Sequence, residues 1–322
     1  MIWLKRIALS MVSIIFLTVG IIYIFWMPVA APQEPHYQLV QTWGEKGKSP
    51  GQLNEPTGIA ASNDEVFVSD SRNSRIQVFD LKGNFKRQFG VEGKGKLERP
   101  MNISLVNQEL YVADFFNDQI QVYALNGEFK RKIGRPGDGK GEFSEPGGVA
   151  VNADGDLYVA DFYNQRVQQL KADGSFVRQW GQSRQAGVLG GKLNYPTDVA
   201  VNEQGMVYIA DGYNDRILTY SPEGKLMYKW GGPFAINIFG PFNGWFATVT
   251  GLAVGPKGNV FVADFYNDRV QKFTAKGKFL TSFGINSTRP THTAIAVTVA
   301  DDGSVFVADY ANHQVQKWQP DN

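Results

Sequence analysis

Residues 262–273 read Val-Ala-Asp-Phe-Tyr-Asn-Asp-Arg-Val-Gln-Lys-Phe, and the same phrase is written six times along the chain. The other copies are VSDSRNSRIQVF (68–79), VADFFNDQIQVY (112–123), VADFYNQRVQQL (159–170), IADGYNDRILTY (209–220) and VADYANHQVQKW (307–318). Their aspartates stand at 70, 114, 161, 211, 264 and 309, with spacings of 44, 47, 50, 53 and 45. A near-constant period of this size marks repeated supersecondary units rather than one irregular core.

The order between copies is also constant. A Gly turn precedes a segment ending in Phe89-Gly90, Ile133-Gly134, Trp180-Gly181, Trp230-Gly231 or Phe283-Gly284, and a Gly-rich loop then leads into a short apolar run such as Gly148-Val-Ala-Val-Asn152. Each period therefore holds four strand-like runs, with two-residue alternation as in Asp156-Leu-Tyr-Val-Ala-Asp161. Such a unit cannot bury both faces alone, whereas units set radially cover one another, as in a β-propeller. The ends fix the count. The last copy stops at Trp318, one strand short, and Tyr37-Gln-Leu-Val-Gln-Thr-Trp43-Gly44 has the pattern of the missing strand. The expectation is all-β: a six-bladed propeller over 37–322, closed by its own N-terminal strand so that no edge is left open.

The pattern Pro-x-Gly-[Ile/Val]-Ala followed by [Tyr/Phe]-Val-Ala-Asp-x-x-Asn-x-Arg-[Ile/Val]-Gln resembles the NHL repeat, over essentially all of 37–322. The resemblance implies the propeller fold. It implies less about activity, since NHL-like propellers include binding modules of ubiquitin ligases, sensor domains of membrane kinases and a peptide-amidating lyase with channel histidines that hold zinc. RING-type zinc ligands and a kinase segment are both absent from this sequence.

Composition narrows the function. Lys and Arg total 32 against 31 Asp and Glu, a balance that argues against nucleic acid as a partner. With no Cys, the chain has no disulfides, thiolate metal sites or thiol nucleophile. Lys5 and Arg6 precede an uncharged run from Ile7 to Met27. As a helix at about 1.5 Å per residue, that run matches the roughly 30 Å hydrocarbon core of a bilayer. The expected layout is a cytoplasmic N-terminus (1–6), an uncleaved signal anchor (7–27) and a short stiff linker (28–36). The propeller then faces the periplasm or the extracellular side.

Three sets of residues carry chemistry. Asp70, Asp114, Asp161, Asp211, Asp264 and Asp309, each with an Asn three positions on, recur in every copy, and are expected to hold turns together rather than to catalyse. The starts of the innermost strands fall at Gly58, Asn102, Gly148, Asp198, Gly251 and Ala296. There Asn102 and Asp198, with His292 from an expansion near the channel mouth, form the candidate catalytic set of a lyase or hydrolase that would take calcium or zinc. The third set is aromatic. Phe115, Phe162, Tyr213 and Phe265 follow the aspartates and are expected to ring one face. Residues 231–251, GGPFAINIFGPFNGWFATVTG, carry no charge. In that loop Phe239, Phe242, Trp245 and Phe246 are the first choice for docking a protein, peptide or envelope ligand. This binding role needs no cofactor and is the leading expectation; the metal-dependent enzyme is its alternative.

Overall fold

The computed structural model describes residues 10–20, 27–62, 64–284 and 294–321. Its strands form six four-stranded antiparallel sheets. Blade 1 consists of Pro56–Ala61, Glu65–Asp70, Arg75–Asp80 and Phe85–Phe89, from the centre outward. Blades 2 to 5 repeat that order, with innermost strands Pro100–Val106, Pro146–Val151, Pro196–Val201 and Val249–Val254. Blade 6 is built from Ala294–Val299, Val305–Asp309 and Gln314–Pro320, and Tyr37–Trp43 is its outermost strand. Tyr37 pairs with Pro320 and Trp43 with Val315, so the two ends of the chain close the ring as the sequence pattern predicts.

The core lies between blades. At the closure, Trp43, Leu53, Ile59, Phe79 and Phe306 pack in one cluster drawn from blades 6 and 1. Five described connections between blades each contribute one plug residue, and Leu53, Leu97, Phe143, Leu193 and Phe246 are all 0% exposed. Burying such a side chain contributes about 1.5–3 kcal/mol. The plug explains the Gly that closes the outer strand at Gly44, Gly90 and Gly134, whereas at Gly181, Gly231 and Gly284 a Cβ would first meet a backbone carbonyl. At Gly134 the backbone has φ +89°, and a Cβ would stand 2.2 Å from the Phe143 ring.

The N-terminal region departs from expectation in one respect. Residues 10–20 are helical, and among the described residues no helix is long and apolar enough to cross a membrane; residues 7–9 and 21–26 of the expected anchor lie outside them. The linker 28–36 is not a free spacer. Pro28 packs against Gly244, the Ala31 amide donates to the Leu280 carbonyl at 2.8 Å, and Glu34 pairs with Lys272 at 2.8 Å. It lies along the outermost strand of blade 5, Phe279–Gly284, where Phe279, Leu280 and Thr281 are buried. The equivalent strands of blades 1 and 2 read FKRQF and FKRKI and alternate exposed with half-buried residues. Open edges there carry charge, which discourages pairing with other chains. Blade 5 needs no such charge because the linker covers it.

Candidate functional site

Each motif Asp ends the second strand of its blade and is 0% exposed. In blade 4, Asp211 accepts the Asn194 amide at 2.6 Å, Asn214 Nδ2 at 2.8 Å and Arg216 Nε at 2.7 Å. Asn214 also donates to the Gly187 carbonyl, which ties the incoming connection to the blade. The same buried ion pair joins Arg75 to Asp70, Arg166 to Asp161 and Arg269 to Asp264, at 2.7–2.8 Å. Blades 2 and 6 hold Gln119 and Gln314 at the Arg position, and there Gln121 and Gln316 donate to Asp114 and Asp309. Burial pushes the carboxyls of Asp161, Asp211, Asp264 and Asp309 upward against these donors. Both carboxylate oxygens of each motif Asp are taken by the protein's own backbone or side-chain donors, which is the arrangement of a fastener.

A second fastener links neighbouring blades. The residue after each motif Asn has a left-handed backbone. In blades 2, 3, 4 and 6 its side chain accepts an amide from the next blade's entry, and in blade 1 Ser74 Oγ instead donates to the Glu98 carbonyl. Asp118 accepts from Glu145, Gln165 from Tyr195 and Asp215 from Thr248, each at 2.6 Å; His313 Nδ1 accepts from Glu55 at 3.0 Å and so clasps blade 6 to blade 1. Burial pushes Asp215 up to about 6 and pulls His313 below its ordinary value. Sequence reading passed over this position because its residue type varies, although an acceptor occupies it in every copy.

The channel is lined by the innermost strands. Asp198 is 3% exposed, and its Oδ2 accepts the Leu252 amide of blade 5 at 2.8 Å. A Cβ on Gly148 would stand 2.3 Å from its Oδ1, and a Cβ on Gly58 would meet the backbone of the next inner strand, at the Met101 carbonyl and the Asn102 Cα. The Gly and Ala positions in this ring are therefore contact points between adjacent inner strands. Burial pushes the Asp198 carboxyl up to about 8. His292 lies outside the described residues, and among those described no group of three or more His, Asp or Glu side chains could hold a metal.

On the Asp-x-x-Asn face the aromatic residues meet. Phe115 and Phe162 are 6.0 Å apart, Phe162 and Tyr195 4.8 Å, Tyr195 and Tyr213 5.1 Å, and Phe265 and Tyr310 6.1 Å. Phe116, Tyr163, Tyr213 and Tyr266 are each about half exposed, at 52, 48, 52 and 53%. Together they form an arc over blades 2 to 6, interrupted at blade 1, where Ser71 and Arg72 occupy the same positions. Tyr195, one residue before a strand-opening Pro, belongs to this arc and was not anticipated from the sequence. Phe115 and Phe162 rim a cavity of about 140 Å³ at the channel mouth, with Met101, Thr197, Thr250 and Ile295.

The charge-free connection divides in two. Asn73 donates to the Gly47 carbonyl, Asn164 to Gly137, Asn214 to Gly187 and Asn267 to Gly240. Aligned on that bond, 241–246 corresponds to 48–53 and 138–143, and the extra residues lie within 232–239, which stands where those connections have only 45–46 and 135–136. Trp245 is 1% and Phe246 0% exposed. Both are corrected from docking residues to core: Phe246 is blade 5's plug, and the Trp245 carbonyl accepts from Arg269 and Gln271. Phe242 is half-buried, edge-on to Trp245 at 5.1 Å. Phe239 is 70% exposed, and with Phe234, Ile236 and Ile238 it forms the true apolar surface of this connection. Counting back from Asp264 to the plug position would have separated the two halves.

Comparison with known proteins supports the fold reading. The NHL repeat model matches residues 53–79, 143–170, 193–220, 246–273 and 293–318. The chain thus carries five matched NHL repeats. Blade 2 has the same sheet and knot, although Met101-Asn-Ile-Ser104 replaces the usual Gly-[Ile/Val]-Ala entry and Gln119 the Arg. Protein brain tumor of Drosophila melanogaster is 47% identical over 53 residues, covering 16% of this chain and 5% of that protein. B-box type zinc finger protein ncl-1 of Caenorhabditis elegans is 47% identical over 47 residues, 14% of this chain and 6% of its own. The match thus spans only about a twentieth of these relatives. Among solved structures, a protein of unknown function from Bacteroides thetaiotaomicron superposes with TM-score 0.67 at 14% identity, over 88% of this chain and 76% of that one. Virginiamycin B lyase of Staphylococcus aureus superposes with TM-score 0.59 at 14% identity, over 88% and 99%. At these identities the likeness is one of fold.

Proposed function

We propose that this NHL-repeat propeller docks a protein segment across its aromatic arc, while an N-terminal anchor holds it at a membrane with the propeller on the periplasmic or extracellular side. The observation that carries the reading is the arc itself. The knot needs no ring after the Asp, since blade 1 makes the same knot with Ser71 and Arg72 in place. Four half-exposed rings on one face are then surplus to folding, and exposed aromatic clusters of this kind suit partner binding. The cavity at the mouth has room for one medium-sized apolar side chain, so an extended segment laid across the arc would seat a single anchor residue there.

For the anchor, the support is the uncharged run from Ile7 to Met27, within which the described helix leaves Met11, Ile14, Phe16 and Leu17 more than 60% exposed. Such a surface requires an apolar surrounding. Selection from a displayed peptide library tests the docking reading. Wild type should enrich a consensus with one apolar residue, and a Phe116→Ser/Tyr163→Ser/Tyr213→Ser variant of unchanged melting temperature should enrich none; equal enrichment by both would remove the arc from the account.

A second reading, a lyase or hydrolase centred on Asn102, Asp198 and His292, has one observation in its favour. Asp198 is a buried carboxyl in the channel whose proton affinity is raised towards neutrality, as general acids and bases require. Metal titration with calcium and zinc, compared between wild type and Asp198→Asn, separates it from the binding reading.

A further inference from the structure

Resting on the anchor reading above, we infer that the inserted connection 232–239 is a lipid contact: it seats in the interfacial layer of the bilayer that carries the anchor. Four observations meet here. First, the insertion exposes Phe234 at 61%, Ile236 and Ile238 at 37% and Phe239 at 70%, and no charged residue lies between Gly231 and Gly251. Corresponding connections are polar: 45–55 carries Glu45, Lys46, Lys48 and Glu55, and 135–145 carries Arg135, Asp138, Lys140, Glu142 and Glu145.

Second, the apolar surface continues onto the neighbouring connection. Arg216 Nη1 donates to both the Val188 and the Ala235 carbonyls, at 2.8 and 3.1 Å, which brings 70%-exposed Leu189 beside the insertion. Third, the insertion holds itself in shape. Ala235 donates to the Gly232 carbonyl at 2.9 Å, and a Cβ at Gly232 would strike the Ile238 carbonyl, so the loop's ends are closed on one another.

The fourth observation selects the occupant. The chain leaves the propeller beside this connection, because Pro28 packs on Gly244 and the following residues are pinned at Ala31 and Glu34. An anchor ending at Met27 therefore meets the bilayer at the outer edge of blade 5, beside the connection that carries the insertion. Phe and Ile without charge suit the boundary between headgroups and acyl chains, and contact through them is indifferent to salt.

The absence of native Cys makes the test direct. Full-length Phe239→Cys and Leu189→Cys variants, and Lys257→Cys on the opposite face as control, are labelled with an environment-sensitive fluorophore. They are reconstituted into phosphatidylcholine vesicles and quenched either by doxyl-labelled lipid or by aqueous iodide. Doxyl lipid should at least halve emission at 239 and lower it at 189 while sparing 257, and iodide should do the reverse. Vesicles that float with the protein but show iodide quenching at 239 and 189 as at 257 overturn the lipid contact alone. Shielding from both quenchers also overturns it, in favour of a protein covering the loop. Protein that fails to float overturns the anchor and this inference together.

Discussion

Two sets of side chains occupy the same face of this propeller, one or two positions apart in the motif of blades 2 to 6, and they behave oppositely. The aspartates are present in all six copies, wholly buried, and spend every oxygen on the protein's own donors. The aromatics that follow them occur in blades 2 to 6, lie half exposed and touch one another rather than the core. Repetition without exception accompanies a folding role, because each blade must be tied to the next. Incomplete repetition marks what the fold does not require. The same contrast separates the buried half of the charge-free connection, 241–246, from its inserted half, 232–239.

The contrast should be sharpest in stability. Asp211→Ala leaves Arg216 buried without its partner and should cost about 3–5 kcal/mol in urea unfolding, whereas Tyr213→Ala, two positions on, should stay within about 1 kcal/mol. Equal losses would erase the distinction between the two sets.

A smaller effect tests the channel. Asp198 holds its proton to about pH 8 in the folded chain, against roughly 3.9 unfolded. Its contribution to stability is full below about pH 4 and is lost as pH rises through 8. Asp198→Asn should therefore flatten that slope and gain roughly 2 kcal/mol at pH 9, read from melting curves across pH. A variant slope parallel to wild type would show that the carboxyl titrates normally.

The ring closure gives a third, weaker effect. His313 must be unprotonated at Nδ1 to clasp Glu55, and its pKa is lowered on folding. That contribution is present above about pH 6.5 and fades as pH falls below it. Solvent around the half-exposed ring limits it to about 1 kcal/mol or less. His313→Gln, which supplies the acceptor that Gln165 supplies in blade 3, should remove the acid sensitivity while leaving the melting temperature at pH 8 nearly unchanged.

Much of this was legible in the sequence. The six phrases, the missing strand at Trp318 and its replacement at Tyr37 fixed the number of blades and the closure, because strand pairing follows local alternation. The partition of the charge-free connection was misjudged because its lack of charge was read as one property. Trp245 and Phe246 are apolar because they are core, and Phe239 is apolar at the surface. The course of the linker was not legible, since Ala31 meets Leu280 across nearly the whole chain; the uncharged Leu280-Thr-Ser282 in an outermost strand was its one local sign.

The central claim is that the aromatic arc is the contact face, and site-specific photo-crosslinking in the producing cell addresses it most directly. A photoreactive phenylalanine analogue replaces Tyr213 on the arc or Glu203 on the opposite face in the full-length chain. The docking reading predicts a discrete adduct of one protein at 213 and none at 203. Adducts at 203 alone, or none at either position, would contradict it.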